Sequence, residues 1–179
     1  KEDEQHLTRA WKNNKDSKAL DRLIRAYSRL AVSSALKYKK FGLPVGDLIQ
    51  EANVGLMQAA DKFDPEREVR FSTYSAWWIK AAIQEYILRN WSMVRIGSTS
   101  SQRKLFFNLR RLKSKLEDQS SLPFRKNVSE EIARQLDVPV RDVDYMRGRL
   151  EKSDQSLNAI AFDESGVELQ DLLADERPN

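Results

Sequence analysis

Cysteine is absent and histidine occurs once, as His6. Disulfides, zinc–thiolate sites, thiol catalysis and any multi-histidine metal centre are therefore excluded. Glycine and proline are scarce, six and five residues, so few positions can interrupt a helix. No apolar run approaches the roughly 18 residues of a membrane span, and mean hydropathy is −0.66. Residues 1–11 carry charges too densely for a secretory leader. A soluble, cytoplasmic chain is the expectation. There is also no Gly-rich phosphate loop, no Gly-x-Ser-x-Gly and no metal-ligand spacing. Neither an enzyme nor a bound cofactor or metal is expected.

What is present is charge, unevenly placed. The 179 residues hold 31 Lys+Arg and 27 Asp+Glu, for a net +4. Residues 151–179 alone are net −6, which leaves the first 150 at +10. A basic body suits a polyanionic partner. The acidic tail fits either a cationic surface or a solvated linker.

The apolar periodicity is helical throughout, with no strand alternation. Asp16 or Ser17 can cap a helix over 17–40, with Leu20, Leu23, Ile24, Tyr27, Leu30 and Ala31 on one face. Helices follow over 44–62, with Leu48, Ala52, Gly55, Leu56 and Ala59 inward, and over 72–90. The turn Asp64-Pro65-Glu66-Arg67 separates these two. A basic helix spans 100–119, and Leu122-Pro123 breaks it. Ser129, followed by two glutamates, reads as the cap of a helix ending near Leu136. Pro139 opens another that reaches Leu150. This pair resembles a helix-turn-helix. Residues 169–174 predict a short helical turn. The expectation is all-α: a helical bundle over 1–96, a small three-helix, helix-turn-helix-like domain over 97–152, and an extended acidic finger or linker over 153–179.

Three surfaces stand out. The helix over 72–90 begins with four aromatics in eight residues, Phe71, Tyr74, Trp77 and Trp78. Tyr74, Trp77, Ala81 and Gln84 share one stripe, whereas Ile79, Ala82, Ile83 and Tyr86 form an apolar face that can supply the core. Aromatic rings with Lys80, Arg89 and Arg67 nearby suit single-stranded nucleic acid, whose bases stack while cations meet phosphates. Ser72, Thr73 and Gln84 can hydrogen-bond a base drawn out of a duplex. Ordinary core aromatics at helical spacing fit the same pattern. The second surface, Asp47, Gln50, Glu51 and Val54 with Asn53 and Met57 beside it, suits a basic helical partner or a solvated face. The third is the basic helix. Leu105, Phe106, Leu109 and Leu112 form its apolar side, and Arg103, Arg110, Lys113 and Phe107 face phosphates, a protein groove or water. A helical protein–protein adaptor remains an alternative on these residues alone.

Longer runs narrow the choice. Residues 47–57 (Asp-Leu-Ile-Gln-Glu-Ala-Asn-Val-Gly-Leu-Met), then Phe63-Asp64-Pro65, then residues 71–80 (Phe-Ser-Thr-Tyr-Ser-Ala-Trp-Trp-Ile-Lys) closely resemble the core motif of main-class bacterial RNA polymerase sigma factors. Asn90-Trp91-Ser92, Val94-Arg95-Ile96-Gly97 and residues 102–110 (Gln-Arg-Lys-Leu-Phe-Phe-Asn-Leu-Arg) resemble the heat-shock subgroup. The resemblance implies a transcription initiation factor whose partners are core RNA polymerase and promoter DNA, with chaperone, protease or anti-sigma regulators and no membrane. It implies that Asp47, Gln50, Glu51, Asn53 and Met57 dock on the clamp coiled coil of the polymerase's largest subunit. It implies that Phe63, Phe71, Ser72, Thr73, Tyr74, Trp77 and Trp78 melt the −10 element, with a flipped adenine stacked on Tyr74. Lys80, Ala81 and Gln84 match promoter-reading positions. Gln102, Arg103, Lys104, Phe106, Phe107 and Arg110 match a subgroup box for polymerase binding. Residues 129–150 match a domain that contacts DNA upstream of the −10 element. Asp163 and Glu164 match the tip of a finger that enters the polymerase cleft.

The sequence departs from the family's pattern in places. Ala52 stands where glycine is common, which should tighten the helix rather than abolish docking. Ala81 lacks the polar group that housekeeping members use at the upstream edge of the −10 element, which implies a different promoter specificity. Ser33-Ser34 is more polar than the usual aliphatic run. The family's last domain, which reads the −35 element, is missing from these 179 residues.

Overall fold

In the computed structural model, residues 2–97, 99–119, 125–151, 154–161 and 166–174 are described. They contain helices and turns, and their only β-feature is one isolated antiparallel bridge between Ile160 and Glu168. The all-α expectation holds. The chain divides into two units, Lys1–Ile96 and Gly97–Asn179. The tail that the sequence suggested as a separate piece groups with the second.

The first unit holds α1 (Glu2–Asn14), α2 (Ser17–Leu36), α3 (Val45–Lys62) and α4 (Phe71–Asn90). The Asp16 carboxylate caps α2 by accepting from the Lys18 amide at 2.9 Å, satisfying one of the donors every helix start leaves open. α2 ends at Leu36, four residues before the expected end. A 3-10 turn over Lys39–Phe41 follows, closed by Gly42 at φ +81°. Three cations close together, Lys37, Lys39 and Lys40, favour that early stop less than Gly42 does, because only glycine takes this conformation without cost.

α3 and α4 form the largest helix–helix contact of the unit. Gly55 makes it possible: a Cβ there would lie 2.7 Å from the Trp78 carbonyl oxygen and 2.9 Å from the Ile79 Cα. The core is Leu23, Leu48, Leu56, Phe71, Ile79, Ile83 and Ile87, all essentially inaccessible, lined with alanines from α2 and α3. The inward set expected for α3 is buried in full. Leu20, Ile24, Tyr27 and Leu30 of α2 are only half-buried.

α1 has no counterpart in the sequence reading. Its charges hide a weak Leu7, Thr8, Trp11 recurrence at helical spacing, and Thr8 is indeed buried. Ion pairs tie the helix to the chain between α3 and α4, Arg9–Glu66 (2.9 Å), Lys12–Asp64 (2.9 Å) and Arg70–Glu4 (2.9 Å), and Lys15, just past its end, pairs with Asp61 in the last turn of α3 (2.9 Å).

The second unit packs α5 (Ser100–Gln119), α6 (Arg125–Leu136) and α7 (Val140–Glu151) against one another. Thr99 and Gln102 form a capping box on α5. The Gln102 amide donates to Thr99 Oγ1 at 3.2 Å, and the Thr99 amide reaches Gln102 Oε1 at 3.5 Å. Ser129 does not cap α6. It lies one turn inside the helix, buried, and donates to Asp144 Oδ1 of α7 at 2.8 Å while accepting from Arg147 Nη1 at 3.3 Å. A short serine hydroxyl with an acid in reach across a helix contact is satisfied there and has no need of its own backbone. α6 ends in a Schellman turn. Asp137 takes φ +52°, the Val138 amide donates to the Ala133 carbonyl at 3.0 Å, and the Asp137 amide to that of Arg134 at 3.4 Å. Beyond α7, the Ala161 amide donates to the Val167 carbonyl at 2.7 Å and the Leu169 amide to the Ala159 carbonyl at 2.9 Å, and a 3-10 turn spans Leu169–Leu172 with a Glu168–Asp171 capping box. The expected break at Leu122-Pro123 lies outside the described residues.

Candidate nucleic-acid interface

α4 starts without a side-chain cap from its own preceding residue, Arg70. The cap comes from α1. Glu4 Oε1 accepts from the Phe71 amide at 2.9 Å, and Glu4 Oε2 accepts from Arg70 Nη2 at 2.9 Å and from Tyr27 Oη at 2.6 Å. An acid at a helix N-terminus is favoured by the open amides and the helix dipole. Burial raises the Glu4 pKa, but hydrogen bonds from Arg70, Tyr27 and the Phe71 amide outweigh it and bring it from 4.5 down to about 2. Burial, then the hydrogen bond to Glu4 and its charge, push the Tyr27 phenol up to about 12. Glu4 was not legible as a functional position, since the helix that carries it was not.

From this fixed start, α4 sorts its aromatics by depth. Phe71 is fully buried and Phe63 nearly so. The sequence grouped both with the strand-melting residues, yet neither ring reaches solvent. They pack beneath Tyr74: Phe63 meets Phe71 edge-on with centroids at 5.2 Å and meets Tyr74 at 5.4 Å. Tyr74 is half-buried, and its hydroxyl donates to the Lys62 carbonyl at 3.4 Å. Trp78 is also half-buried, 6.2 Å from Tyr74, with the Lys62 ammonium 4.4 Å from its ring centroid. Trp77 is different. It is 71% exposed, the most open aromatic ring of the unit, with Lys80 Nζ 5.8 Å from its centroid. The core side of this helix is already filled by Ile79, Ile83 and Ile87, so the Trp77 ring is left open to a ligand.

The remaining positions of this surface fall as follows. Ser72 is half-buried, and Thr73, Lys80 and Ala81 are exposed. Gln84 is half-buried, and its Nε2 donates to Tyr38 Oη at 3.3 Å. Trp77, Lys80, Ala81 and Gln84 thus run along one solvent-facing stripe of α4.

On α3, Asp47 and Gln50 are exposed, Glu51 and Asn53 half-buried, Val54 and Met57 exposed. The face has an apolar centre and a polar rim, as docking sites do. Asp47 Oδ2 accepts from Tyr86 Oη at 3.0 Å. Burial, and then that bond and the charges of Asp47 and Glu51, raise the Tyr86 pKa.

On α5, Phe106 is buried in the core of its unit and Phe107 is half-buried, edge-on to it at 5.0 Å. Phe106 therefore serves packing, and Phe107 is less open than the sequence suggested. Arg103, Lys104 and Arg110 are exposed, and Arg103 Nε also donates to the Gly97 carbonyl at 3.2 Å. Gln102 is occupied in the helix cap. Asp163 and Glu164 lie outside the described residues. Among the described residues, no group of three or more His, Asp or Glu side chains can hold a metal ion, and no helix is long and apolar enough to cross a membrane.

Comparison with known proteins gives the family. Residues 23–93, which include both α3 and α4, match the family described as sigma-70 region 2. RNA polymerase sigma factor RpoH of Zymomonas mobilis is 44% identical over 178 residues, 99% of this chain and 59% of the relative. RpoH of Caulobacter vibrioides is 44% identical over 176 residues, 98% of this chain and 60% of the relative. RNA polymerase sigma-C factor of Myxococcus xanthus is 43% identical over 156 residues, 87% of this chain and 52% of the relative. The chain thus spans a little over half the length of these relatives. A region 2 segment in the first unit, and similarity to heat-shock-type sigma factors along nearly all of its length, place this chain in the sigma-70 family.

Proposed function

We propose that the chain acts in transcription initiation as a specificity subunit that binds core RNA polymerase, recognises the −10 promoter region and holds the melted non-template strand. In this reading the α3 face around Val54 and Met57 docks on the clamp coiled coil. Tyr74, kept in place by Phe63, Phe71 and the Lys62 carbonyl, stacks a flipped base. Trp77 supports the upstream edge of the bubble. Aromatic stacking contributes about 1–3 kcal/mol per base, so strand separation is driven by binding and needs no nucleotide hydrolysis. The chain is then not an enzyme, and its place of work is the cytoplasm, with the polymerase. The exposed ring of Trp77, on a helix with a complete core beneath it, is the observation that carries the reading.

The test is reconstitution with bacterial core polymerase. Trp77→Ala and Tyr74→Ala should reduce permanganate reactivity of promoter thymines by about tenfold while the chain still comigrates with core polymerase. Glu51→Lys should weaken comigration. A bubble indifferent to both aromatic changes would overturn base capture.

A further inference from the structure

Gln84 does not stand alone on its stripe. It has three flexible side-chain torsions, and a free amide samples many orientations and can exchange its donor and acceptor ends by rotation. Here its Nε2 donates to Tyr38 Oη at 3.3 Å. Tyr38 is itself well held. It is half-buried, and its ring is stacked on Phe41 with centroids at 6.0 Å and planes at 27°. Its amide donates to the Ala35 carbonyl at 2.9 Å, and its carbonyl accepts from the Phe41 amide at 3.1 Å. The turn that fixes it is closed by Gly42 in the left-handed region. The connection between α2 and α3 thus reaches over to α4 and meets one side chain there.

We propose that Tyr38 is a positioning residue for base readout. Its hydroxyl oxygen takes one amide hydrogen of Gln84, and the second N–H and the Oε1 are left as a donor–acceptor pair for the major-groove edge of an adenine. Adenine presents an acceptor at N7 beside a donor at N6, and a glutamine amide matches both at once. Guanine presents two acceptors there and cannot satisfy Oε1. The neighbours on the stripe cannot supply this selectivity. Ala81 has no polar group, Lys80 only donates, and Trp77 offers a ring face that accepts any base. One oriented amide therefore carries the hydrogen-bond readout of this part of α4. The inference rests on the sigma-factor reading above and adds to it the base identity and the residue that enforces it.

The experiment uses the holoenzyme reconstituted with core polymerase and a promoter it opens, with each base pair of the −10 region replaced in turn. Open-complex formation is followed by permanganate. Wild type should discriminate by about tenfold at one adenine-containing base pair through Gln84. Tyr38→Phe, which keeps the ring and its stacking and removes only the hydroxyl, should cut that discrimination to about twofold and leave the other base pairs as they were. Gln84→Ala should lose the same discrimination at the same base pair, and the double variant should lose no more than either alone. Full discrimination retained by Tyr38→Phe would overturn the proposal. So would a loss spread evenly over all base pairs, or additive losses in the double variant, since either would mean that the hydroxyl acts on the fold. If Gln84→Ala discriminates normally while promoters still open, the readout falls and the sigma-factor reading stands. If the wild-type holoenzyme opens no promoter, both fall.

Discussion

Glu4 meets three donors from three places in the first unit: the Tyr27 hydroxyl of α2, the Arg70 guanidinium and the Phe71 amide that opens α4. Its side chain is 10% exposed, so the charge is sustained by these bonds and not by water. The carboxyl pKa of about 2 in the folded protein lies below its ordinary 4.5. Glu4 therefore adds stability that is complete above pH 4.5 and is lost as pH falls from there through 2. Tyr27 works in the opposite direction. Its pKa, raised from 10 to about 12, adds stability below pH 10 that is lost as pH rises through 12. Glu4→Gln should lower stability at pH 7 by about 2–3 kcal/mol and flatten the acid limb between pH 4.5 and 2. Urea unfolding at several pH values checks this. A constant difference between wild type and variant across that window would show that the carboxylate titrates without its partners.

At the scale of the element, helices with a strong apolar face were readable with most of their ends, the misses being the end of α2 and the start of α6. α3 was legible in both range and burial, because Leu48, Ala52, Leu56 and Ala59 repeat at helical spacing. The stripe from Trp77 to Gln84 was legible as geometry but not as exposure, since Trp and Tyr at that spacing serve a core equally well. Only the filled positions Ile79, Ile83 and Ile87 decide the matter. The depth of Phe63 and Phe71 was not legible either, because sequence proximity to an open ring does not distinguish an exposed ring from a buried one. Glu4 and Tyr38 were invisible because each acts across the fold, 67 and 46 residues from its partner. The α6–α7 turn shows the same limit on a smaller scale. The helix end near Leu136 was legible, but not the residue that makes it, Asp137 at φ +52°. An aspartate tolerates this region with a penalty that glycine does not pay. Asp137→Gly should therefore raise the stability of the second unit by about 0.5–1 kcal/mol, read as a rise in its urea midpoint. A fall would mean that the aspartate side chain adds more to the turn than its backbone strain removes.

Across the whole molecule the charge asymmetry is the property that sequence alone delivers in full. Residues 152–179 are net −5, so a chain trimmed after Glu151 rises from +4 to +9. Trimming there keeps Glu151 as the partner of Lys113, at 3.5 Å. Non-specific binding to duplex DNA is driven by cations that release counterions from the phosphates, and it weakens steeply with salt. An acidic tail on the same chain opposes that attraction over about a Debye length, roughly 10 Å at 0.1 M salt. In the proposed reading of the chain as a promoter-selecting factor, weakening the sequence-independent term more than the specific one favours selection. The trimmed chain should bind a labelled duplex without promoter sequence about tenfold more tightly at 50 mM salt, with a steeper salt dependence, and the gap should close by about 0.3 M. Fluorescence anisotropy over a salt series checks both. Equal affinity of the two chains at low salt would mean that the acidic charges act locally, on a cationic partner, and not on the field of the molecule.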